Sequence, residues 1–237
     1  MELTLSADVL AALVVNLPIA FAAARLGLVD KTGAFSGFLV GAAIFYATGI
    51  YGFLILLAFF TIGSSATFIA YTRKRKIGTA QKRRGARGYQ NVLANGLTPT
   101  LLAVAFYLVG GEITLAAFCA SLAGATADTL ESEIGVLSPS PPRLITDFCE
   151  VPPGTDGGVS LLGAIAGIIG ALIIALLSLV FSLIPLEMLI PVSLSGFLAT
   201  IIESFLGALF KTKGERAGHI LNLINTTLAP LLVIIWG

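Results

Sequence analysis

Apolar positions in this chain run in long stretches rather than in the alternating or half-and-half patterns of soluble strands and helices, and Gly, Pro and charged residues punctuate them. A helix needs about 20 mostly apolar residues to cross the hydrocarbon of a bilayer. The punctuation predicts helices near 8–24, 33–47, 50–70, 92–109, 113–128, 159–183, 187–210 and 219–236. The second and fifth are short, the fifth reaching only about 24 Å at 1.5 Å per residue, so either is expected to be tilted, broken or re-entrant. The pattern therefore predicts an all-α, polytopic transmembrane helix bundle of about eight spans, within a range of roughly seven to nine. A single domain covers 1–237, with loops on one side near 72–91, 129–158 and 211–218.

Composition agrees and narrows the class. The mean hydropathy is +0.97 and 57% of the residues are hydrophobic, outside the range of soluble domains. The first 20 residues carry no basic region ahead of their apolar run and no small-residue cleavage site, so they read as a retained first span. The two cysteines are Cys119 in an apolar run and Cys149 in a polar loop, which disfavours a disulfide framework or a zinc site.

Only 11% of the residues are charged, so where they fall is informative. With about eight spans, Arg25 and Lys31, then Arg73, Lys74, Arg75, Lys76, Lys82, Arg83, Arg84 and Arg87, then Arg143, then Lys211, Lys213 and Arg216 all fall on one face. The other face carries Glu2, Asp8, Glu112 and Glu187. By the positive-inside bias the basic face is cytoplasmic and both termini are not. Arg73 to Lys76 read as a topology determinant resting on anionic headgroups. Further on, Arg87, Gly88 and Tyr89 run into Asn91 and Asn95-Gly96, where an arginine beside open backbone suits phosphate oxygens.

The densest chemistry lies between 127 and 160, which places six carboxylates and a glycine-rich turn between two apolar runs. On an uninterrupted helix Asp128, Glu131 and Ser132 share a face and Glu133 points elsewhere, unless the helix unwinds near Gly135. Carboxylates close together in a dry setting repel unless a cation joins them, and Mg²⁺, an oxygen-seeking ion that takes one or two carboxylates plus water and phosphate, meets that demand. The alternative is that these acids cap a helix end in water. Val151 to Ser160, with Pro153, Gly154, Thr155, Asp156, Gly157 and Gly158, precedes a long helix and reads either as a phosphate cradle or as an N-cap turn. Glu203 sits about 12 Å before Lys211 along its helix, level with those acids, and Asn222 and Asn225 share one face of the last span. The asparagines serve equally well as ligand contacts or as interhelical glue. Gly163 and Gly167 form a G-x-x-x-G pair suited to close helix packing.

Together, the stretch 89–96, Ala127-Asp128-Thr129 with 132–135, Pro142-Arg143-Leu144-Ile145-Thr146, 151–160 and 203–208 resemble the integral-membrane family of transmembrane protein nineteen, which includes the plant phytyl-phosphate kinase. The resemblance implies a prenyl-phosphate kinase that uses CTP or another nucleotide to convert a phytyl or geranylgeranyl-type monophosphate to its diphosphate. On that reading Asp128, Glu133 and Asp156 or Glu203 hold Mg²⁺, and Arg87 and Arg143 neutralise phosphates. The backbone of Gly154, Gly157 and Gly158, with Pro153, Thr155 and Ser160, cradles them, and Asn95, Asn222 and Asn225 orient ligands. The partners are then a nucleotide, a prenyl monophosphate and the lipid bilayer, with no nucleic acid; a homo-oligomer is left open. The rival classes are an ion-coupled transporter and a membrane cytidylyltransferase acting on a lipid phosphate.

Overall fold

The computed structural model describes residues 2–78, 86–210 and 215–236, so Lys82, Arg83, Arg84, Lys211 and Lys213 of the expected basic loops lie outside the described residues. Among the described residues seven α-helices account for most of the length: α1 (Glu2–Arg25), α2 (Lys31–Ile77), α3 (Tyr89–Val109), α4 (Glu112–Gly135), α5 (Leu161–Val180), α6 (Leu189–Phe210) and α7 (Glu215–Trp236). All seven are long and apolar enough to cross a membrane. Between α4 and α5 a two-residue ladder pairs β1 (Arg143–Leu144) with β2 (Gly158–Val159), antiparallel.

The 47 residues of α2 are two arms joined at Gly49, whose φ of 69° and ψ of −169° no helix contains. The arms double back. A straight helix would hold residues 41 and 53 about 18 Å apart, yet a Cβ on Gly41 would lie 3.2 Å from the Phe53 ring, and the Phe45 and Phe53 rings are 5.8 Å apart. Glycine at 49 supplies the left-handed φ that this reversal needs. Seven helices, one of them folded in two, make eight passes, which is the division that the break between 47 and 50 predicted.

The fifth span is where the expected boundary moves. It does not stop at 128 but continues as α4 to Gly135, 24 residues in all and long enough to cross upright. Every residue from Ala116 to Ala127 is buried, because α4 is the central helix, packed by α2, α3, α5, α6 and α7. Its small residues let neighbours approach closely: a Cβ on Gly163 of α5 would lie 2.8 Å from the Glu131 carbonyl oxygen, and one on Gly196 of α6 would lie 2.8 Å from Ala123. The outward faces carry the lipid-facing belt, such as Leu10, Val14, Leu17 and Phe21 on α1, each 59–62% exposed.

One end of the bundle gathers the loops. Arg73 at the end of α2 donates to the Leu137 and Ser138 carbonyls at 2.8 and 3.0 Å, and Val29 and Arg87 form a parallel bridge between the α1–α2 turn and the start of α3. Arg73, Lys74 and Arg87, three of the basic residues that the charge pattern assigned to one face, thus lie at this end of the bundle.

Candidate functional site

At that end lies a cavity of about 1140 Å³, including its open mouth, enclosed by α2, α3, α4, α6, α7 and the 136–160 loop. Asp128, Glu131, Glu133, Asp156 and Glu203 line it, and among the described residues Arg87 is the lining cation. Segments as distant as Arg87 and Asn222 face each other here. Asn91, Asn95, Thr129, Ser132, Pro153, Gly154, Thr155, Gly157, Gly158 and Ser160 complete the polar lining.

The acids reach the cavity because α4 stays helical to its end. Asp128 and Glu131, three residues apart, share a face. Glu131 is 8% exposed and its Oε2 has no hydrogen-bond partner. Glu133 stands about 140° around the helix from Asp128, and there it pairs with Lys74 of α2; both side chains are almost fully buried. Glu203, from α6, faces Asp128, Glu131 and Asp156, each of which repels it.

Arg87 is positioned by its backbone. Its N–H donates to the Leu28 carbonyl at 3.0 Å and its own carbonyl accepts from Asp30 N–H at 3.1 Å. The guanidinium then lies over the rings of Phe59 and Phe60, 5.5 and 5.8 Å from their centroids. Gly63 makes the room, since a Cβ there would lie 2.5 Å from the guanidinium. Burial lowers the Arg87 pKa from its usual value and the Glu133 charge opposes that; an arginine so placed remains a cation.

The model of the family described as integral membrane protein DUF92 matches residues 14–227. The chain belongs to this family. An uncharacterised membrane protein of Methanocaldococcus jannaschii is 32% identical over 207 residues, covering 87% of this chain and 84% of its own. Another, from Synechocystis, is 37% identical over 199 residues, covering 82% and 77%. Protein VTE6, chloroplastic, of Arabidopsis thaliana is 32% identical over 215 residues, covering 87% of this chain and 64% of its own length. No solved structure matches the chain.

Two of the residues expected at the site of this DUF92 protein are not brought there. Arg143 is more than half exposed; the ladder register that sets it opposite Val159 turns it outward, and it pairs with Glu150 at 3.0 Å. Asn225 is fully buried one turn deeper than Asn222, where its Nδ2 donates to the Thr200 hydroxyl at 2.9 Å and so ties α7 to α6. Asn222 alone of the pair lines the cavity.

Others line it with their polar groups already engaged. The Ser160 hydroxyl caps α5 by accepting from Gly163 N–H at 3.1 Å and donates to the Gly135 carbonyl at 3.2 Å, joining the end of α4 to the start of α5. Gly158 N–H donates to the Thr155 carbonyl at 2.9 Å, so it closes the loop's own turn rather than offering itself to an anion. Gly157, at φ 76°, packs so closely on α6 that a Cβ would lie 2.5 Å from that of Ala208. Gly157 therefore docks the loop on α6, next to Asp156.

Lys74 sits in a run of four basic residues that reads as a topology determinant at the headgroups. The signal is in the register: Gly63, Thr67 and Lys74, spaced by four and seven, continue one buried face of α2 beyond the apolar stretch.

Among the described residues no three His, Cys, Asp or Glu side chains close into a ready-made metal cage. The donors do fit an oxygen-seeking divalent cation. Glu131 Oε2 and Asn95 Oδ1 are buried acceptors that lack a donor, in a cavity where carboxylates outnumber the lining cation by five to one. An ion that takes one or two carboxylates and completes its shell with water and phosphate needs no cage.

Proposed function

We propose that this protein is a prenyl-phosphate kinase that moves the γ-phosphoryl group of CTP, or of another nucleoside triphosphate, onto the phosphate of a phytyl or geranylgeranyl-type monophosphate. The observation that carries this reading is the composition of the cavity: five carboxylates and Arg87, gathered from α4, α6, the 136–160 loop and the segment that leads into α3. Two anionic substrates would not enter such a cavity unaided. The likeness of the motifs at 89–96, 127–135 and 151–160 to the family that includes the plant phytyl-phosphate kinase supports the same chemistry.

Phosphoryl transfer asks the protein mainly for alignment and charge neutralisation. The bond between the β,γ-bridging oxygen and the γ-phosphorus breaks, a terminal oxygen of the prenyl phosphate bonds to that phosphorus, and CDP leaves. Asp128 and Glu203, with the unpartnered oxygen of Glu131, would hold Mg²⁺, which when bound neutralises phosphate charge. Glu133, expected among the ligands, is committed to Lys74 and would hold that ammonium beside the site. Arg87 would grip the acceptor phosphate with its planar fork. Asn91, Asn95 and Asn222 orient polar groups around it. The acceptor is already an anion, so no strong general base is required. By the positive-inside bias this end of the bundle would face the cytoplasm, where nucleotide is available.

The test is purified protein in detergent with radiolabelled CTP, Mg²⁺ and a panel of prenyl monophosphates. CDP and prenyl diphosphate, formed only with Mg²⁺, are the expected products. Release of pyrophosphate would make it a cytidylyltransferase, and no turnover with any nucleotide would favour an ion-coupled carrier.

A further inference from the structure

A second cavity adjoins the first. It occupies about 720 Å³, including the space open to its surroundings, between α1, the two arms of α2 and the start of α3, and its walls are apolar, with Ile19 and Ala20 on one side and Phe53 and Leu57 on the other. Arg87, Asn91 and Asn95 line both cavities. An acidic compartment and a hydrocarbon-like one therefore meet at a guanidinium and two carboxamides. Asn95 is 4% exposed; its Nδ2 donates to the Asn91 carbonyl at 3.0 Å, while its Oδ1 has no partner. A buried acceptor at that junction calls for a donor that the protein does not provide, such as water or a protonated phosphate oxygen.

The cleft's floor is a stripe of glycines on the first arm of α2: Gly33, Gly37 and Gly41, four residues apart, spanning about 12 Å. Gly33 and Gly41 are explained by packing, because a Cβ on the first would strike the Arg87 carbonyl and one on the second the Asn16 side chain. Gly37 is not. A Cβ there would meet nothing within 4 Å. Gly37 lines the cleft and is only partly buried, so the space above it is open to whatever enters the cleft.

We infer that this cleft holds the isoprenoid tail of the lipid monophosphate, with the phosphate at Arg87 and Asn95, and that Gly37 keeps the path open. The inference rests on the lipid-phosphate substrate proposed above and adds where its chain lies. Two features select this occupant. The apolar walls reject a nucleotide. The cleft also opens at its polar end onto a cation suited to phosphate.

The experiment is photocrosslinking of the purified full chain in detergent with a diazirine-tagged geranylgeranyl monophosphate, without nucleotide, and mapping of adducts by mass spectrometry. Adducts are expected on the cleft-lining residues Ile19, Ala20, Ala23, Val40, Phe53 and Leu57, and untagged geranylgeranyl monophosphate competes while inorganic phosphate does not. Gly37→Leu should weaken this labelling about tenfold, one decade of affinity, with an unchanged melting temperature. Ala20→Trp, which fills the cleft from the opposite wall, should act alike and covers the case in which the first variant does not fold. Adducts confined to the lipid-facing side chains Leu17, Phe21 and Leu101, competition by phosphatidic acid in place of the prenyl phosphate, or undiminished labelling in both folded variants would overturn the inference. Because no nucleotide is used, labelling of the cleft in a protein that transfers no phosphoryl group would retain the tail site and remove the kinase, and turnover with labelling elsewhere would do the reverse.

Discussion

On one side of Arg87 the lining is carboxylate and carboxamide; on the other it is Phe, Leu, Ala and Gly. The acidic cavity is assembled from segments far apart in the chain, and most of its lining side chains are polar or charged. The apolar cleft is assembled from α1, α2 and the start of α3, which follow one another in sequence, and it exists because side chains are small or missing. Charge perturbations should therefore act steeply on the first cavity, and bulk on the second. Within the first, the groups divide again into those the protein itself pairs, such as Glu133 with Lys74, and those it leaves for a ligand, such as Glu131 Oε2 and Asn95 Oδ1.

The paired groups should show the largest effect, and on stability. Removing one partner of a buried ion pair leaves the other charged and unmatched, at a cost of about 3–5 kcal/mol. Lys74→Met and Glu133→Gln are each expected to lower the unfolding midpoint in detergent sharply, and the double substitution should recover most of the loss. Full stability with lost activity in Glu133→Gln would instead make Glu133 a ligand of the cation.

Asp128→Asn should do the opposite. It removes a carboxylate that Glu133 and Glu131 already repel, so the fold should be as stable or more so, whereas phosphoryl transfer should fall by about 10²–10³-fold, the loss typical of one electrostatic group at a reacting centre. Initial rates across a Mg²⁺ titration read this directly. An Asp128→Asn enzyme with an unaltered rate and Mg²⁺ dependence would remove Asp128 from the cation site.

The two compartments were also unequally legible. The eight passes could be read because Gly49 breaks an otherwise continuous apolar run, and the acids of 128–133 announced themselves by charge. Hydropathy ended the fifth span too early for a physical reason: α4 is wrapped by protein rather than lipid, so its last turns tolerate Asp128 and Glu131 and remain helical to Gly135. Arg143 and Arg87 looked alike in sequence. What separates them is a ladder register and a backbone bridge, neither of which a residue pattern encodes. The apolar cleft carried no chemical mark at all beyond glycines spaced by four, and such spacing reads as packing, which for Gly33 and Gly41 it is.

Gly63→Ala tests the junction between the compartments. The added methyl would lie 2.5 Å from the Arg87 guanidinium and 3.1 Å from Thr129, and the arginine, being flexible, is the group that yields. A guanidinium pushed off its place over Phe59 and Phe60 should raise KM for the prenyl monophosphate about tenfold, roughly 1.4 kcal/mol, with little change in KM for the nucleotide. An equal rise for both substrates would mean that Arg87 serves the whole cavity and not the acceptor phosphate.

The smallest effect belongs to Arg143. Sequence places it beside the acids and the resemblance gives it a phosphate, yet in the structure it points to solvent and its partner Glu150 is as exposed as itself. Exposed ion pairs of this kind contribute about 0–1 kcal/mol, so Arg143→Ala should leave stability nearly unchanged and, with the guanidinium outside the cavity, should alter the transfer rate by less than about threefold. Arg87→Ala in the same assay supplies the contrast, because it removes the lining cation. If the two variants fell together, the 136–160 loop would have to swing Arg143 inward when substrate binds, and the glycine contact that docks Gly157 on Ala208 would be the hinge to examine.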